Sequence, residues 1–280
     1  MKATRSWALV LLLALCALLF SCAEQAPPTG LLVEVLDVGQ SDCTLVRCGE
    51  AVLMIDTGTA TEREAVQAAL RDRDIEQLEY LLLTHPHEDH IGNARMILES
   101  YTVSTLLTAD VVTEDPTYGL VLSAAAHRGT PCVAVSAAQT LALGDAQIEV
   151  LSVLRDAKDI NDSSVILRVT YGGTAFLFTG DAEAAGEAAL LASVPAEKLD
   201  CDVLKAGHHG SDTSTGKALL QAATPRYVAI SCGENNDYGF PHAALLARLE
   251  ACGAAWHRTD LSGDLTYRSD GETVTVALEK

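Results

Sequence analysis

The feature that most constrains the fold of this chain is an order of elements that occurs twice along it. An acidic turn, a helix, a strand, a His-bearing turn and a second helix follow one another in each half. In the first half Asp56 precedes His85 by 29 residues, and in the second half Asp181 precedes His208 by 27. Two such halves predict a pair of related units that mix strands and helices.

Strands that alternate with helices predict sheets whose outer faces are covered by helices. Packed sheet to sheet, the two halves give a four-layer αββα sandwich of the α/β (α+β) class, with both sets of turns along one edge. Residues far apart in sequence then meet at a shared site, on loops that rigid strands carry. We predict strands at about 31–37, 43–47, 51–55, 79–83, 164–170, 174–178, 201–205, 226–231, 255–258, 264–268 and 273–277, and helices at about 62–70, 91–98, 117–127, 214–222 and 242–251, with one more ending near 191.

The first His-bearing turn is rich in side chains that bind metal. The run Thr84-His85-Pro86-His87-Glu88-Asp89-His90 directly follows an apolar, strand-like segment. Imidazole nitrogen and carboxylate oxygen suit zinc, manganese and iron, and ligands on the turn after a strand can converge without distorting regular structure. A solvated loop that happens to be His-rich is the alternative. The co-occurrence of four potential ligands at this spacing disfavours it.

The N-terminal segment indicates export. Lys2 and Arg5 precede an apolar run over 7–20, which is typical of a signal peptide. The small residue before Cys22 resembles a bacterial lipoprotein site, where the cysteine thiol is lipidated; an ordinary secretory signal is the alternative. We therefore predict a signal peptide over 1–22, a tether over 23–30, one domain over 31–280, and a location at the cell surface or, failing lipidation, in the medium. No later apolar span is long enough to cross a bilayer, so a lipid anchor is the only membrane contact expected.

Composition limits the partners of the domain. A hydrophobic fraction of 49% excludes a disordered protein. Without Lys2 and Arg5 the chain has 17 basic and 38 acidic residues, a formal charge of −21. Such a surface repels nucleic acid and anionic membranes at long range. A phosphate-bearing substrate must therefore be attracted by the metal site itself.

Several motifs together resemble a known family. The His85-x-His87-x-Asp89-His90 pattern, the pair Gly180-Asp181 after a strand and a later glycine-flanked histidine resemble the metallo-β-lactamase superfamily. Further segments resemble the soluble domain of ComEC-type DNA-uptake (competence) proteins, here as a stand-alone exported lipoprotein, and the motifs extend from about residue 32 to 268. These segments are 36–42, 178–183, 202–211, 238–242 and 258–260.

The resemblance implies a metallo-β-lactamase sandwich with two divalent metal ions, zinc or manganese, in one cleft. By position, the first two histidines of the motif would hold one ion, and its aspartate and third histidine the other. Asp181 would bridge the ions, and His208 would complete the second site. Two such ions share a bridging hydroxide and clamp a displacement at phosphorus. The implied ligands are thus His85, His87, Asp89, His90, Asp181 and His208.

This sequence departs from the superfamily pattern at two places. Many members have a third histidine on the first metal, where this chain has Asn161-Asp162-Ser163-Ser164. Oxygen donors make the site harder and favour manganese, so Asn161 and Asp162 are candidate ligands; a turn that caps the following strand is the alternative. Phe240 stands where the relatives carry the first histidine of an HPH motif.

Three residues are candidates for a direct part in catalysis. Asp89 can orient the nucleophile as well as bind metal. His209 is a candidate for a substrate contact, for a group behind the ligands, or for the ligand in place of His208, which we prefer. His242 is a candidate phosphate or leaving-group contact, or a residue that only begins a helix.

Four other polar residues are expected around the metals. We expect Asp37 and Asp42 to orient ligand histidines by hydrogen bonds, and Lys205 and Ser211 to contact a phosphate oxygen. Lys205 can equally pair with a carboxylate. Asp56, at a strand end, is expected to satisfy local backbone donors only.

The sequence therefore predicts an exported dinuclear metal-dependent hydrolase of the phosphodiesterase or nuclease type, with single-stranded DNA or nucleotides as substrates. An esterase for a cell-surface phosphate ester such as phosphocholine is the alternative, because surface anchoring and an acidic exterior suit it. A β-lactam or thioester hydrolase matches fewer of the motifs. A surface-binding module without chemistry would be expected to have lost ligands that this chain keeps.

Overall fold

Two β-sheets form the middle layers of the computed structural model, which describes residues 30–109, 111, 113 and 115–280. The predicted signal peptide, Cys22 and nearly all of the predicted tether lie outside these residues. The strands are β1 Leu31–Val35, β2 Thr44–Cys48, β3 Ala51–Ile55, β4 Gln77–Leu83, β5 Thr102–Thr108, β6 Cys132–Ala134, β7 Thr140–Leu143, β8 Ala146–Ser152, β9 Ile166–Tyr171, β10 Thr174–Phe178, β11 Val203–Lys205, β12 Tyr227–Ile230, β13 Ala255–Arg258, β14 Leu265–Ser269 and β15 Val274–Leu278.

The helices lie between these strands and after them. They are α1 Arg63–Asp72, α2 Glu88–Ile91, α3 Ala94–Ser100, α4 Pro116–Arg128, α5 Ala184–Ser193, α6 Lys217–Ala223, α7 Ala243–Cys252 and α8 Thr259–Ser262. Short 3-10 turns occur at Ala60–Glu62, Asn161–Ser163, Ala196–Lys198 and His208–Gly210. Among the described residues, every helix is too short or too polar to cross a membrane.

The first sheet has the order β15-β14-β1-β2-β3-β4-β5-β6 and the second has the order β13-β12-β11-β10-β9-β8-β7. Strands β3, β4 and β5 are parallel to one another, and so are β10, β11 and β12. The carboxyl ends of parallel strands meet at one edge of a sheet, so the turns after β3 and β4 are neighbours, as are those after β10 and β11. The two edges touch where Val165 N–H donates to the Thr84 carbonyl at 3.0 Å.

Three buried clusters show the layering. Leu82 of the first sheet packs with Leu167 and Phe176 of the second, between the sheets. On the outer face of the first sheet, alternate side chains pack against α1, α3 and α4; on the outer face of the second, against α5, α6 and α7. Side chains on a strand point alternately to opposite faces, so each apolar strand supplies two of these clusters at once. The predicted four-layer α/β arrangement is confirmed.

The two halves exchange strands in a way that the repeated plan does not predict. β14 and β15, at the end of the chain, join the first sheet, where β14 pairs antiparallel with β1. Leu265 and Tyr267 of β14 then enter the core between the sheets. Pairing between segments more than 200 residues apart leaves no local signal in the sequence.

Two helices begin at other residues than predicted. α6 starts at Lys217 because the Ser214 hydroxyl donates to the Ala182 carbonyl (2.9 Å) and the Thr215 hydroxyl accepts from Gly207 N–H (2.9 Å). These bonds hold Ser214 and Thr215 in the turn below the second His-bearing segment, with Thr215 at φ +53°. In the first half, α2 begins at Glu88, within the His-rich motif itself.

Candidate metal centre

Four turns at one edge of the two sheets bring the polar residues together. The turn after β3 carries Asp56, the turn after β4 carries the histidines of the motif, and those after β10 and β11 carry Asp181 and the pair His208-His209. Backbone bonds fix the His-rich turn against its neighbours: Thr57 N–H donates to the His90 carbonyl at 2.6 Å, and Asp42 N–H to the Asp89 carbonyl at 3.1 Å.

The Gly180-Asp181 turn depends on its glycine. Gly180 has φ +52°, and a Cβ at this position would lie 2.9 Å from the Ser164 side chain and 3.0 Å from Thr84 Cβ. Any other residue would therefore be strained and crowded. Ser164 in turn accepts a hydrogen bond from Asp181 N–H at 3.0 Å, so the turn presents the Asp181 carboxylate to the other sheet.

Asp181 lies at the centre of the group. Its Oδ2 is 3.2 Å from His90 Nε2, 3.7 Å from His209 Nε2, 3.8 Å from His208 Nε2 and 4.0 Å from His85 Nε2. One carboxylate oxygen thus faces four imidazole nitrogens that come from both sheets.

Two inner groupings can be distinguished around this oxygen. Potential ligand atoms of Asp89, His90, Asp181 and His209 all lie within 4.8 Å of one another. On the other side, His85 is buried and its Nε2 lies 3.0 Å from His87 Nδ1. The first two histidines of the motif thus contact each other, and the His85 ring also lies 4.1 Å from the His90 ring, centroid to centroid. The division of the motif into two pairs of ligands stays a prediction from the resemblance.

The donor atoms of this group fit a divalent cation. Asp181 Oδ1 and His90 Nε2 are buried and have no hydrogen-bond partner, which is costly unless another partner binds them. Imidazole and carboxylate donors in this number are the ligands that zinc and manganese take in proteins.

Charge in the centre also suits a cation. Burial raises the pKa of Asp181, but His90 and His209 outweigh this effect and hold it well below its usual range. Burial lowers the pKa of His85 well below its ordinary value, helped by the neighbouring His90. Burial lowers the pKa of His90 and of His209, but Asp181 and the other nearby carboxylates outweigh it and raise the first well above its ordinary value and the second to about 10. The carboxylates of the centre thus stabilise positive charge, carried as protons on His90 and His209, which a metal cation would replace.

Asp56 positions His90. Its carboxylate accepts from Thr84 N–H (2.8 Å), from the Thr84 hydroxyl (2.7 Å) and from His90 Nδ1–H (2.8 Å). The backbone contact was expected, but the contact with His90 was missed by the sequence-based interpretation. The signal was available: Asp56 ends the strand parallel to the one that carries the motif, so the two turns must meet.

Asp42 and Lys205 position His209. Asp42 Oδ1 lies 3.3 Å from His209 Nδ1, and its Oδ2 accepts from Lys205 Nζ at 2.9 Å. His209 Nδ1 also lies 3.1 Å from the Ser231 carbonyl. Burial raises the pKa of Asp42, but Lys205 and His209 bring it below its usual range. Lys205 is buried with this carboxylate and does not face the cleft. Of the two roles that the sequence allowed for Lys205, contact with a phosphate or pairing with a carboxylate, the structure has the second.

The geometry places His209 in the inner group and His208 at its rim, the reverse of the order preferred from sequence. Both residues have positive φ, +47° and +52°. This backbone directs the His209 ring inward, where it is buried and its Nε2 lies 3.1 Å from Asp89 Oδ2. The His208 side chain is 24% exposed, and its Nδ1 lies 3.0 Å from Glu183 Oε1. The spacing of adjacent histidines carries no information about this choice.

The residues of segment 161–164, which stands where many superfamily members have a third histidine, differ in their roles. Asp162 accepts from Glu183 N–H (2.9 Å) and Gly186 N–H (2.7 Å), so it caps the start of α5 and points away from the ligands. Asn161 is buried with an unpartnered Oδ1. Ser164, not singled out from sequence, has its hydroxyl 3.3 Å from His85 Nδ1.

The remaining predicted residues lie outside the inner group. Asp37 N–H donates to Asp264 at 2.7 Å, and the Asp37 carboxylate lies 3.4 Å from Lys280 Nζ, so Asp37 does not orient a histidine. Ser211 shares a hydrogen bond with Thr213 at 2.8 Å in the turn after His209. His242 precedes α7, and its ring bonds the Asp212 N–H at 3.0 Å, which matches the helix-start alternative.

A family model matches most of the described chain. It is described as "Metallo-beta-lactamase superfamily" and covers residues 36–234. Among solved structures, the metallo-beta-lactamase fold protein YhfI from Bacillus subtilis is 13% identical, with a TM-score of 0.55, and the match covers 89% of this chain and all of that one. CmlA, a diiron β-hydroxylase from Streptomyces venezuelae, is 16% identical with a TM-score of 0.57, over 86% of this chain and 55% of CmlA. These likenesses show the fold.

Curated relatives are closer in sequence. ComE operon protein 3 of Bacillus subtilis is 32% identical over 88% of this chain and 34% of its own length. Competence protein ComA of Neisseria gonorrhoeae is 32% identical over 94% of this chain and 35% of its own length. Recombination protein 2 of Haemophilus influenzae is 32% identical over 91% of this chain and 31% of its own length. The chain spans about a third of the length of these relatives.

Proposed function

Since this chain belongs to the metallo-β-lactamase superfamily, we propose that it is an exported phosphodiesterase that uses two metal ions. Membership makes it a metal-dependent hydrolase, and its relatives include competence proteins. The number of metals, the phosphodiester substrate and the export are the parts that we propose.

One observation carries the two-metal proposal. Asp181 Oδ2 lies 4.0 Å from His85 Nε2, 3.2 Å from His90 Nε2 and 3.7 Å from His209 Nε2. A carboxylate shared between two ligand pairs is the arrangement that a bridging ligand requires. We assign His85, His87 and Asp181 to one ion, with the Ser164 hydroxyl at the opposite nitrogen of the His85 ring, and Asp89, His90, His209 and Asp181 to the other.

Two divalent ions held by these residues would acidify a water and stabilise both oxygens of a displacement at phosphorus. The protein prepares the ligands for this chemistry. Asp56 accepts a hydrogen bond from His90 Nδ1–H, so that Nε2 faces Asp181, and the Ser231 carbonyl accepts one from His209 Nδ1–H in the same way. Such partners fix the tautomer and the orientation of a ligand ring.

Asp89 is the most exposed member of the inner group of ligands. Its side chain is 35% exposed, whereas those of His90, Asp181 and His209 are buried. Burial raises the pKa of Asp89, but its hydrogen bond with His209 and the nearby His90 lower it below the usual range. An ionised carboxylate at the mouth of the cleft is suited to bind metal and to orient a nucleophile, as the motif implied.

The relatives support a nucleic-acid phosphodiester as the substrate. Two of them are named as a competence protein and a recombination protein, and the chain covers only about a third of each, so their substrates come to this chain as a proposal. The formal charge of −19 favours a short or single-stranded substrate, because long DNA would be repelled. A small phosphate ester at the cell surface is the second candidate, favoured by the same charge.

The test is a substrate panel on metal-defined protein. Chain loaded with manganese or zinc is assayed on a single-stranded oligonucleotide, bis(p-nitrophenyl) phosphate, p-nitrophenyl phosphocholine and nitrocefin. We expect cleavage of the first two, and a loss in Asp181→Asn greater than the roughly 10–100-fold that removal of a supporting partner costs. The matched control is Asp37→Asn, an aspartate outside the inner group. If the wild type is no more active on phosphodiesters than Asp181→Asn, the proposal is wrong. Turnover of the phosphocholine ester alone would favour the second candidate.

Export has a separate test. We propose that the chain is anchored through a lipidated Cys22, which the sequence around that residue supports. Incorporation of radiolabelled palmitate into wild type, but not into Cys22→Ala, is the expected result. Unlabelled wild-type protein in the medium would instead indicate an ordinary secretory signal.

A further inference from the structure

Tyr238 presents an open aromatic face beside the candidate metal centre. It is 66% exposed, the highest value among the large hydrophobic side chains that the structure describes as exposed. One face of its ring is covered by Phe240, with ring centroids 5.4 Å apart and an interplanar angle of 13°. With two thirds of its surface exposed, Tyr238 keeps a large part of its ring open to a ligand.

The stack of aromatic rings continues from Tyr238 at the surface to the candidate metal centre. The Phe240 ring is nearly parallel to that of His209, at 6.4 Å and 24°, and meets His208 edge-on at 5.5 Å. Tyr238, Phe240 and His209 thus form a row of similarly inclined rings that ends at a candidate metal ligand. Phe240 occupies the place where the sequence comparison led us to expect a histidine.

The loop that carries the two rings is held in place before any ligand binds. The Asn236 side chain accepts from Phe240 N–H (2.9 Å) and donates to the Phe240 carbonyl (2.8 Å) and to the Gly233 carbonyl (2.9 Å). His242 Nε2 lies 3.2 Å from the Tyr238 carbonyl. A surface that is already ordered loses little conformational entropy on binding.

We propose that Tyr238 and Phe240 form a stacking platform for one nucleobase of the substrate, adjacent to the phosphodiester that the metal centre cleaves. This inference rests on the proposed phosphodiesterase function and specifies its substrate class as single-stranded nucleic acid or a nucleotide ester. Stacking of bases on aromatic side chains tolerates any sequence, since every base has a π-face. A base held within a duplex does not offer that face.

Two features of the platform favour a base over a quaternary ammonium group. Cation recognition uses several aromatic rings that surround the charge as a cage, whereas here two rings lie against each other and leave one flat face. The chain also has twice as many acidic as basic residues, 38 against 19, so contact with a single base next to the cleaved phosphate is a means of binding that does not depend on charge.

The experiment uses a fluorescent reporter at the platform. In Tyr238→Trp, a phosphorothioate-linked thymidine tetranucleotide, which resists cleavage, should quench the new indole. The same tetranucleotide with tetrahydrofuran in place of every base should quench it weakly or not at all. Phosphocholine is the third probe. Quenching by phosphocholine together with equal quenching by the two oligonucleotides would overturn the platform.

Binding and turnover then test the natural residue. We expect Tyr238→Ala to weaken binding of the base-bearing oligonucleotide by about tenfold or more, and Tyr238→Phe to bind as wild type does, because stacking does not need the hydroxyl. The ratio of kcat/KM between thymidine 5′-(p-nitrophenyl phosphate) and methyl p-nitrophenyl phosphate should fall by a similar factor in Tyr238→Ala. Leu120→Ala, an exposed apolar side chain on α4, is the matched control and should keep the ratio.

The two proposals fail separately. If the wild type cleaves no phosphodiester but Tyr238→Trp is quenched only by the base-bearing oligonucleotide, the platform stands and the phosphodiesterase proposal is rejected. If the wild type cleaves phosphodiesters and Tyr238→Ala leaves the kcat/KM ratio unchanged, the platform is rejected and the phosphodiesterase proposal stands.

Discussion

The carboxylate of Asp56 accepts a hydrogen bond from His90 Nδ1–H at 2.8 Å, and the opposite nitrogen of the same ring lies 3.2 Å from Asp181. A residue at the end of one strand thereby fixes the tautomer of a candidate ligand on the next turn. Burial raises the pKa of Asp56, so its negative charge is maintained only together with its three donors.

Asp56→Asn should therefore weaken metal binding without removing a ligand. An amide keeps one acceptor oxygen, but its NH2 group cannot accept the hydrogen bonds of the second carboxylate oxygen, and it carries no charge to support His90. We expect metal affinity and kcat to fall by about 10–100-fold, measured by competition with a chromophoric chelator and by phosphodiester turnover. Asp72→Asn, at the end of α1 and outside the centre, should match wild type. Unchanged affinity in Asp56→Asn would show that the contact has no influence on the metal.

The two adjacent histidines should differ in their effect on metal binding. His209 is buried beside Asp89 and Asp181, whereas His208 is partly exposed and bonded to Glu183. We expect His209→Ala to lower metal affinity by more than about 100-fold and His208→Ala by less than about tenfold, by comparison with the typical effect of a supporting residue. Metal content after dialysis against a weak chelator is the measurement. The opposite order would restore His208 as the ligand.

Lys205→Met should destabilise the fold as well as the site. Lys205 and Asp42 are both nearly inaccessible, at 4% and 7% of side-chain exposure. Removing the ammonium leaves the buried Asp42 carboxylate with only His209 as a charged neighbour, and breaking such a buried pair costs about 3–5 kcal/mol in the free energy of unfolding. Urea denaturation measures it. Arg95→Met breaks an exposed pair with Glu99 and should cost less than about 1 kcal/mol. Equal losses in the two variants would contradict the account.

The raised pKa of Glu187, a residue outside the metal centre, predicts that the stability of the fold depends on pH. Burial raises the pKa of Glu187 from 4.5 to about 7, although its carboxylate accepts from the backbone N–H groups of Thr215 and Gly216. Below pH 4.5 both folded and unfolded chains hold the proton. Between pH 4.5 and 7 the unfolded chain releases it first, so the free energy of unfolding falls as pH rises, by about 3 kcal/mol in total from this group.

Glu187→Gln should abolish that portion of the pH dependence. The measurement is the free energy of unfolding at pH 5 and pH 8 for both proteins, with the same metal loading. The decrease from pH 5 to pH 8 should be smaller in the variant, whatever its absolute stability. An identical decrease in both proteins would show that Glu187 ionises normally in the folded chain.

The parts of this structure that local sequence determines could be predicted. The His-rich turn, Gly180-Asp181 and the second His-bearing turn were placed correctly at the ends of strands, because apolar segments followed by polar turns mark those ends. The confirmed four-layer arrangement follows from the alternation of strands with helices along the sequence. The assignment of individual ligands within these turns stays a prediction.

The parts set by long-range packing could not be predicted. The inward direction of His209 rather than His208 depends on two successive positive φ angles, and the capping role of Asp162 depends on where α5 begins. The addition of β14 to the first sheet depends on pairing with β1 at the other end of the domain. The contact between Asp56 and His90 differs from these, because the meeting of the two adjacent strand ends could have been inferred despite their 34-residue separation.

The central claim is that Asp181 bridges two metal ions, and electron paramagnetic resonance of manganese-loaded protein tests it without reference to substrate. We predict two bound manganese ions per wild-type chain with the spectrum of an exchange-coupled pair, and loss of the coupled signal in Asp181→Asn but not in Asp37→Asn. A wild-type protein that saturates with one manganese ion, or binds two that give uncoupled signals, would contradict the account.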